Sequence, residues 1–127
     1  MQEKDFRAKL VKEFKPGPGR FIWTFDAHFK SGFPDVFWKI DGRNTHHMEL
    51  KLCKKDNLPV NPWDLCTKIQ TYIIQQLDVA GAHVGLLVMH KPTKGDPGVY
   101  FFKPRQVFGQ RWTVEHFWDW WREVTRD

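Results

Sequence analysis

"SGFPDVFWKIDGRNTHHMELKL", residues 31–52, decides how the rest of the chain is read, because it sets charged side chains inside what is otherwise a buried hairpin. "DVFWKI" and "THHMELKL" read as two strands joined by "DGRN". Alternation puts Asp35, Phe37 and Lys39 on one face of the first strand, and His47, Glu49 and Lys51 on one face of the second, with Met48, Leu50 and Leu52 opposite. For Asp35 to share a face with Glu49 and Lys51, positions paired across the hairpin must add to an even number, as Ile40 opposite Asn44 does. A two-residue Asp41-Gly42 turn pairing Ile40 with Arg43 would throw the acids onto opposite faces. A three-residue or bulged connection is therefore expected, with Gly42 or Asn44 at positive φ.

Outward from the hairpin, residues 1–14 carry Phe6, Leu10, Val11 and Phe14 on one helical face, and "KPGPG" stops the helix. Glu3 falls near the middle of that apolar face, and Asp5 falls opposite. "RFIWTF" reads as a strand, followed by the loop "DAHFKSGFP". Asn61-Pro62-Trp63-Asp64 has the N-cap, first-turn proline and acid of a helix start, and Gly81 is a fitting stop. Between them Leu65, Cys66, Ile69, Ile73, Leu77 and Ala80 form the expected buried stripe, with Gln70 at its edge. "HVGLLVMH" suits a central strand and "GVYFFKP" a further one, joined by a turn through "HKPTKGDPG". Thr113 caps a last helix whose Phe117, Trp118, Trp121 and Val124 share a face, for core or dimer packing. The expected fold class is α/β: one mixed β-sheet flanked by helices, in the order α-β-β-β-α-β-β-α.

The chain has 127 residues, room for one domain. Seven Trp, eleven Phe and 41% apolar residues mark a globular protein, and a mean hydropathy of −0.57 keeps it soluble. No apolar run approaches the roughly 18 to 20 residues of a membrane span, and the N-terminus is charged rather than signal-like, which sets a cytoplasmic expectation. Cys53 and Cys66 are then free thiols, without a functional role. Twenty Lys and Arg against fifteen Asp and Glu give +5, favouring a polyanionic partner. No phosphate-cradling glycine loop precedes a helix, so no nucleotide cofactor is expected. The spacing of His46, His47, Cys53 and Cys66 fits no closed zinc site.

If the face bearing Asp35, Glu49 and Lys51 is covered, unpaired charge there costs several kcal/mol per group, so something must neutralise it. Paired carboxylates suit a divalent ion such as Mg²⁺, which takes oxygen ligands, and a lysine beside it can hold the attacking water or offset charge developing on phosphorus. Singly, the same residues also read as a solvated turn acid, a surface Glu49–Lys51 pair and, for Glu3, an exposed helix acid.

Pro34-Asp35, a gap of 13 residues and Glu49-Leu50-Lys51 resemble the PD-(D/E)XK motif of the restriction-endonuclease-like nuclease superfamily. The lead-in Ser31-Gly32-x-Pro34-Asp35, the pattern Glu3-x-x-Phe6-x-x-x-Leu10, and Gln70 followed by "DVAGAHVGLLV" are similar to the VRR-Nuc and archaeal-type Holliday-junction resolvase group within it. The resemblance implies a single nuclease domain over 1–127, with its core at about 3–88. It does not extend to the C-terminal strand and Trp-rich helix over 98–125.

It also implies that Asp35 and Glu49 bind Mg²⁺ or Mn²⁺, aided by the Leu50 carbonyl, with Glu3 completing the metal site and Lys51 contacting the nucleophilic water or the scissile phosphate. Ser31 and Gln70 would support these groups or touch phosphate. Lys30, Arg43, Lys54 and Lys55, with Arg20, flank the site as candidate DNA contacts. The implied reaction is hydrolysis of a DNA phosphodiester by in-line attack of water, with a four-way junction as the leading substrate and a homodimer to cut it symmetrically. Flap, nick or sequence-specific cleavage on the same fold is the alternative within the enzyme class. A non-catalytic DNA-binding module is the alternative outside it.

Overall fold

The computed structural model describes residues 2–25 and 32–126. Helix α1 (Glu3–Phe14) starts where the Gln2 N–H donates to the Asp5 carboxylate at 2.9 Å, and stops where Lys15 turns left-handed (φ +56°) ahead of Pro16. Strands β1 (Arg20–Thr24), β2 (Val36–Ile40) and β3 (His46–Cys53) follow as an antiparallel meander. A single 3₁₀ turn (Pro62–Leu65) and helix α2 (Lys68–Val79) cross to β4 (His83–His90), which lies parallel to β3. Then come β5 (Gly98–Phe102), β6 (Gln110–Thr113) and helix α3 (Val114–Val124). Among the described residues six strands lie side by side in chain order, with only β3 and β4 parallel. No helix of the described residues is long and apolar enough to cross a membrane.

The expected mixed sheet flanked by helices is present, with β6 added to the expected order. "QRWT" offers few strand formers and no buried alternation, so its pairing with β5 carries a signal that local composition does not. The hairpin register is as expected. Val36 pairs with Met48, Phe37 with His47 and Trp38 with His46, and each pair adds to the total that 35 and 49 give. The turn begins with the Arg43 N–H on the Ile40 carbonyl (2.9 Å), and Gly42 takes φ +78°, where a side chain is disfavoured.

Helix α2 starts later than Asn61. The Asn61 carboxamide caps only the 3₁₀ turn, through the Trp63 N–H at 3.1 Å, and the chain is extended again at Cys66. Thr67 and Gln70 then form a capping box, the Thr67 hydroxyl accepting from the Gln70 N–H (3.1 Å) and the Gln70 side chain accepting from the Thr67 N–H (2.8 Å). The helix therefore turns Gln70 and Ile74 into the protein and leaves Ile69 57% exposed, which displaces the expected stripe. Gly81, at φ +93°, ends the helix as expected.

Two cores result, one on each face of the sheet. Phe6, Leu10 and Phe14 of α1 and Phe117, Trp118 and Trp121 of α3 pack on Val36, Trp38, Ile40, Met48 and Leu50. Helix α2 and the 3₁₀ turn cover Val84, Leu86, Val88 and Phe102 on the other face. The Trp-rich helix is thus core: Trp121 is fully buried, stands edge-on to Trp38 at 5.0 Å, and donates its indole N–H to the Leu10 carbonyl at 3.1 Å. Arg20 and Arg43 hold the end of α3, Arg20 through the Thr125 carbonyl and Arg43 through the carbonyls of Val124 and Arg126. Truncating a buried Trp of this kind costs about 3–5 kcal/mol. Trp121→Ala is therefore expected to lower unfolding stability by about that amount, read as a fall in the urea midpoint at unchanged slope.

Candidate active site

Carried one residue beyond the ladder, the β2–β3 register sets Asp35 across from Glu49, and the Phe25 N–H on the Asp35 carbonyl (2.9 Å) extends the same row to β1. Side chains opposite one another in such a row are roughly 5 Å apart at Cβ. Both acids are enclosed, Asp35 at 3% exposure and Glu49 at 0%. One Asp35 oxygen accepts the Leu50 N–H at 2.8 Å, beyond the last Val36–Met48 pair, and so continues the ladder with a side chain. The other lies 3.7 Å from the Arg7 guanidinium, which also donates to the Phe25 carbonyl at 2.9 Å. Glu49 has the Lys51 ammonium at 3.3 Å, with the Lys51 side chain 20% exposed. Two buried carboxylates and two cations are thereby joined at one end of the sheet.

Arg7 is the residue that sequence patterning passed over. It stands one helical turn after Glu3 on α1, a spacing that marks a shared helix side, but the apolar stripe drew attention to Glu3 alone. Glu3 itself is exposed in the first turn of α1, where it borders a small crevice with Lys51 and Leu52. Among the described residues, no three acids, imidazoles or thiols are grouped closely enough to hold a metal ion, so Glu3 is not assembled with Asp35 and Glu49. Gln70 is buried and its side chain is used in capping α2. Lys54 and Lys55 are exposed just beyond β3. Arg43 is also exposed, but its guanidinium is engaged by the end of α3. Lys30 and Ser31 lie outside the described residues.

The adjacent histidines point to opposite faces. His47 stacks on Phe37 at 5.4 Å, is held below the ordinary imidazole range by burial, and has a buried Nδ1 without a hydrogen-bond partner among the described residues. His46 stacks on Trp38 (4.7 Å, planes within 7°) and lies 4.9 Å from His83. Burial, and then the charge of His83, His47 and Arg43, bring its pKa down from 6.5 to about 4.

No family model matches the chain, and no curated protein matches it. Among solved structures it is similar to Hjc of Archaeoglobus fulgidus, a Holliday junction resolvase from an archaeal hyperthermophile. The two share 19% identity over 97% of this chain and 96% of that one, with a TM-score of 0.47, an overlap too loose to carry an argument.

Two outcomes test these electrostatics. Removing Arg7 leaves Asp35 buried without that cation, so Arg7→Met is expected to destabilise by about 1–3 kcal/mol. Because the two groups interact, a double-mutant cycle with Asp35→Asn should show coupling, where independent sites would add. Neutral His46 favours the folded state, so its contribution is complete above pH 6.5 and is lost as the pH falls from 6.5 toward about 4. The urea midpoint should drop across that window, and drop less steeply in His46→Gln.

Proposed function

We propose that this protein is a metal-dependent endonuclease that hydrolyses DNA phosphodiesters, with branched DNA, and the four-way junction first, as its substrate. The observation that supports this most is the buried row of Asp35 and Glu49, with Lys51 two residues along the same strand. Two carboxylates are what Mg²⁺ or Mn²⁺ usually takes from a protein when substrate phosphate and water fill the remaining positions, so the oxygen donors present fit the ion. In this reading Asp35, Glu49 and the Leu50 carbonyl would hold the ion, and Glu3, in the first turn of α1, would complete the site. A divalent ion held there supplies Lewis acidity to the attacking water and to the phosphate.

The chain's own residues then divide the remaining tasks. Leu50, through its N–H, keeps the Asp35 carboxylate fixed in direction. Arg7 offsets the Asp35 charge before substrate arrives. Lys51, partly exposed beside Glu49, would supply positive charge to the attacking water or the scissile phosphate. Lys54 and Lys55, at the end of the same strand, contact backbone phosphates.

Symmetric cleavage of a junction calls for two copies. The Trp-rich helix is spent in the core, so the surface that suits a second copy is α2, where Ile69, Tyr72 and Val79 are exposed along one side at 57%, 60% and 70%. One observation favours a non-catalytic DNA-binding module instead: each buried acid already has a cation from the chain beside it.

The two readings separate cleanly. Purified protein with Mg²⁺ or Mn²⁺ is expected to place paired nicks in a labelled four-way junction, and Asp35→Asn to abolish cutting while leaving junction binding largely intact. Mn²⁺ should also raise the melting temperature of the wild type and not of Asp35→Asn, since an ion that binds only the folded state stabilises it. Junction binding with no cleavage under either ion, and no shift in melting, would leave the module.

A further inference from the structure

The sheet face that carries the acid row is only partly covered. Helix α2 packs over β4, while Phe21 and Trp23 of β1 are 48% and 54% exposed. These rings belong to a built surface. Phe21 and Trp23 lie 6.2 Å apart with planes within 5° of parallel, Phe21 meets Phe37 at 5.5 Å, and Phe37 stacks on His47 at 5.4 Å. The register fixes where the shelf stands. Trp23 pairs with Phe37 and Phe37 with His47, which forms the cross-strand row next to that of Phe25, Asp35 and Glu49. Successive same-face rows are about 7 Å apart, close to the spacing of neighbouring nucleotides along a strand.

We infer that Phe21, Trp23 and Phe37 form a stacking shelf for an unpaired nucleobase of the DNA held at the acid row. The inference rests on the nuclease reading only for what lies beside the shelf. A base is the occupant that fits. Flat, half-exposed rings offer π faces to any base without regard to sequence. Lys39, paired with Phe21 across β1–β2, is the charged residue of that row and is cationic, whereas neither β1 nor β2 contains an acid. The exposed part of Phe21 and Trp23 comes to roughly 200 Å². A standard interface between proteins buries about 800 Å² on each side, so the shelf is too small for a second copy of the chain. An intact duplex has no base to offer, so the shelf selects DNA in which a base within a nucleotide or two of the cut is unpaired, as where pairs open at the branch point of a junction.

The test uses the full chain, EDTA to prevent cutting, and two DNAs carrying 2-aminopurine: a four-way junction with one unpaired 2-aminopurine at the branch point, and a blunt duplex in which it is paired. Binding is expected to quench the unpaired fluorophore and not the paired one. Phe21→Leu and Trp23→Leu keep apolar bulk on an exposed strand while removing the π face. They should lose most of the quench and bind the branched DNA roughly tenfold more weakly, with less than about a twofold change for the duplex. Trp23→Phe should retain most of both signals. Equal weakening on the two DNAs, or an unchanged quench, overturns the inference. So does a shift from dimer to monomer in sedimentation of Trp23→Leu, which would make the shelf a contact between copies. Quenching by a chain that never cuts under Mg²⁺ or Mn²⁺ supports the shelf and removes the nuclease; cutting without quenching does the reverse.

Discussion

The pairing of Val36 with Met48 is the constraint on which the rest depends. Because side chains alternate with period two, slipping that pairing by one residue would exchange the faces of the two strands. Glu49 would then enter the core now filled by Met48 and Leu50 against α1 and α3, and unpaired charge in such a core costs several kcal/mol. Register and core are therefore mutually enforcing. The Asp35 carboxylate adds a lock of its own, since it takes the Leu50 N–H only when Asp35 stands across from Glu49. A side chain that closes a ladder cannot also wander, so the residue that would meet an ion is also the residue that ends the strand pairing.

The C-terminal third supports this arrangement from the other side of the sheet. Trp121 lies between Phe14 of α1 and Trp38 of β2, at 6.3 and 5.0 Å, and joins the first helix, the hairpin and the last helix in one contact. Arg20 and Arg43 cap the carbonyl end of α3, where positive charge is favoured by the helix dipole. The residues that positive charge alone marks as DNA contacts are in this way divided: some fix the fold, and the lysines beyond β3 remain open to solvent.

Much of this was legible in the sequence because the signals were local. Alternation, the parity of the acid positions and a positive φ at Gly42 account for the hairpin, and "KPGPG", Thr113 and Gly81 mark helix ends correctly. The start of α2 was misplaced because Asn61-Pro62 is the louder helix signal, and the quieter Thr67–Gln70 capping box needs side chain and backbone to be considered together. With the helix starting at Lys68, Gln70 and Ile74 face inward and Ile69 faces out. Strand β6 and the Arg7–Asp35 contact escaped for a different reason. Each is a tertiary pairing, across 8 residues or more of chain, between groups whose own neighbourhoods carry no matching pattern.

The unequal cover on the two faces explains why chemistry and exposure coincide. Two helices, α1 and α3, share the apolar face, while α2 and the 3₁₀ turn serve the other, with α2 on β4 because a parallel pair must be joined by a crossover that packs back on the sheet. The antiparallel strands β1 and β2 need no crossover, and among the described residues no helix packs on them on this face. The acid row lies next to that of Trp23, Phe37 and His47, with Asp35 and Glu49 both buried. Burial there is deep enough to hold two carboxylates in fixed positions, while Phe21 and Trp23 on the adjoining strand remain half-exposed. Enclosing β1 and β2 with another helix would bury Phe21 and Trp23. The exposed rings are thus the physical consequence of a crossover helix that lies on β4.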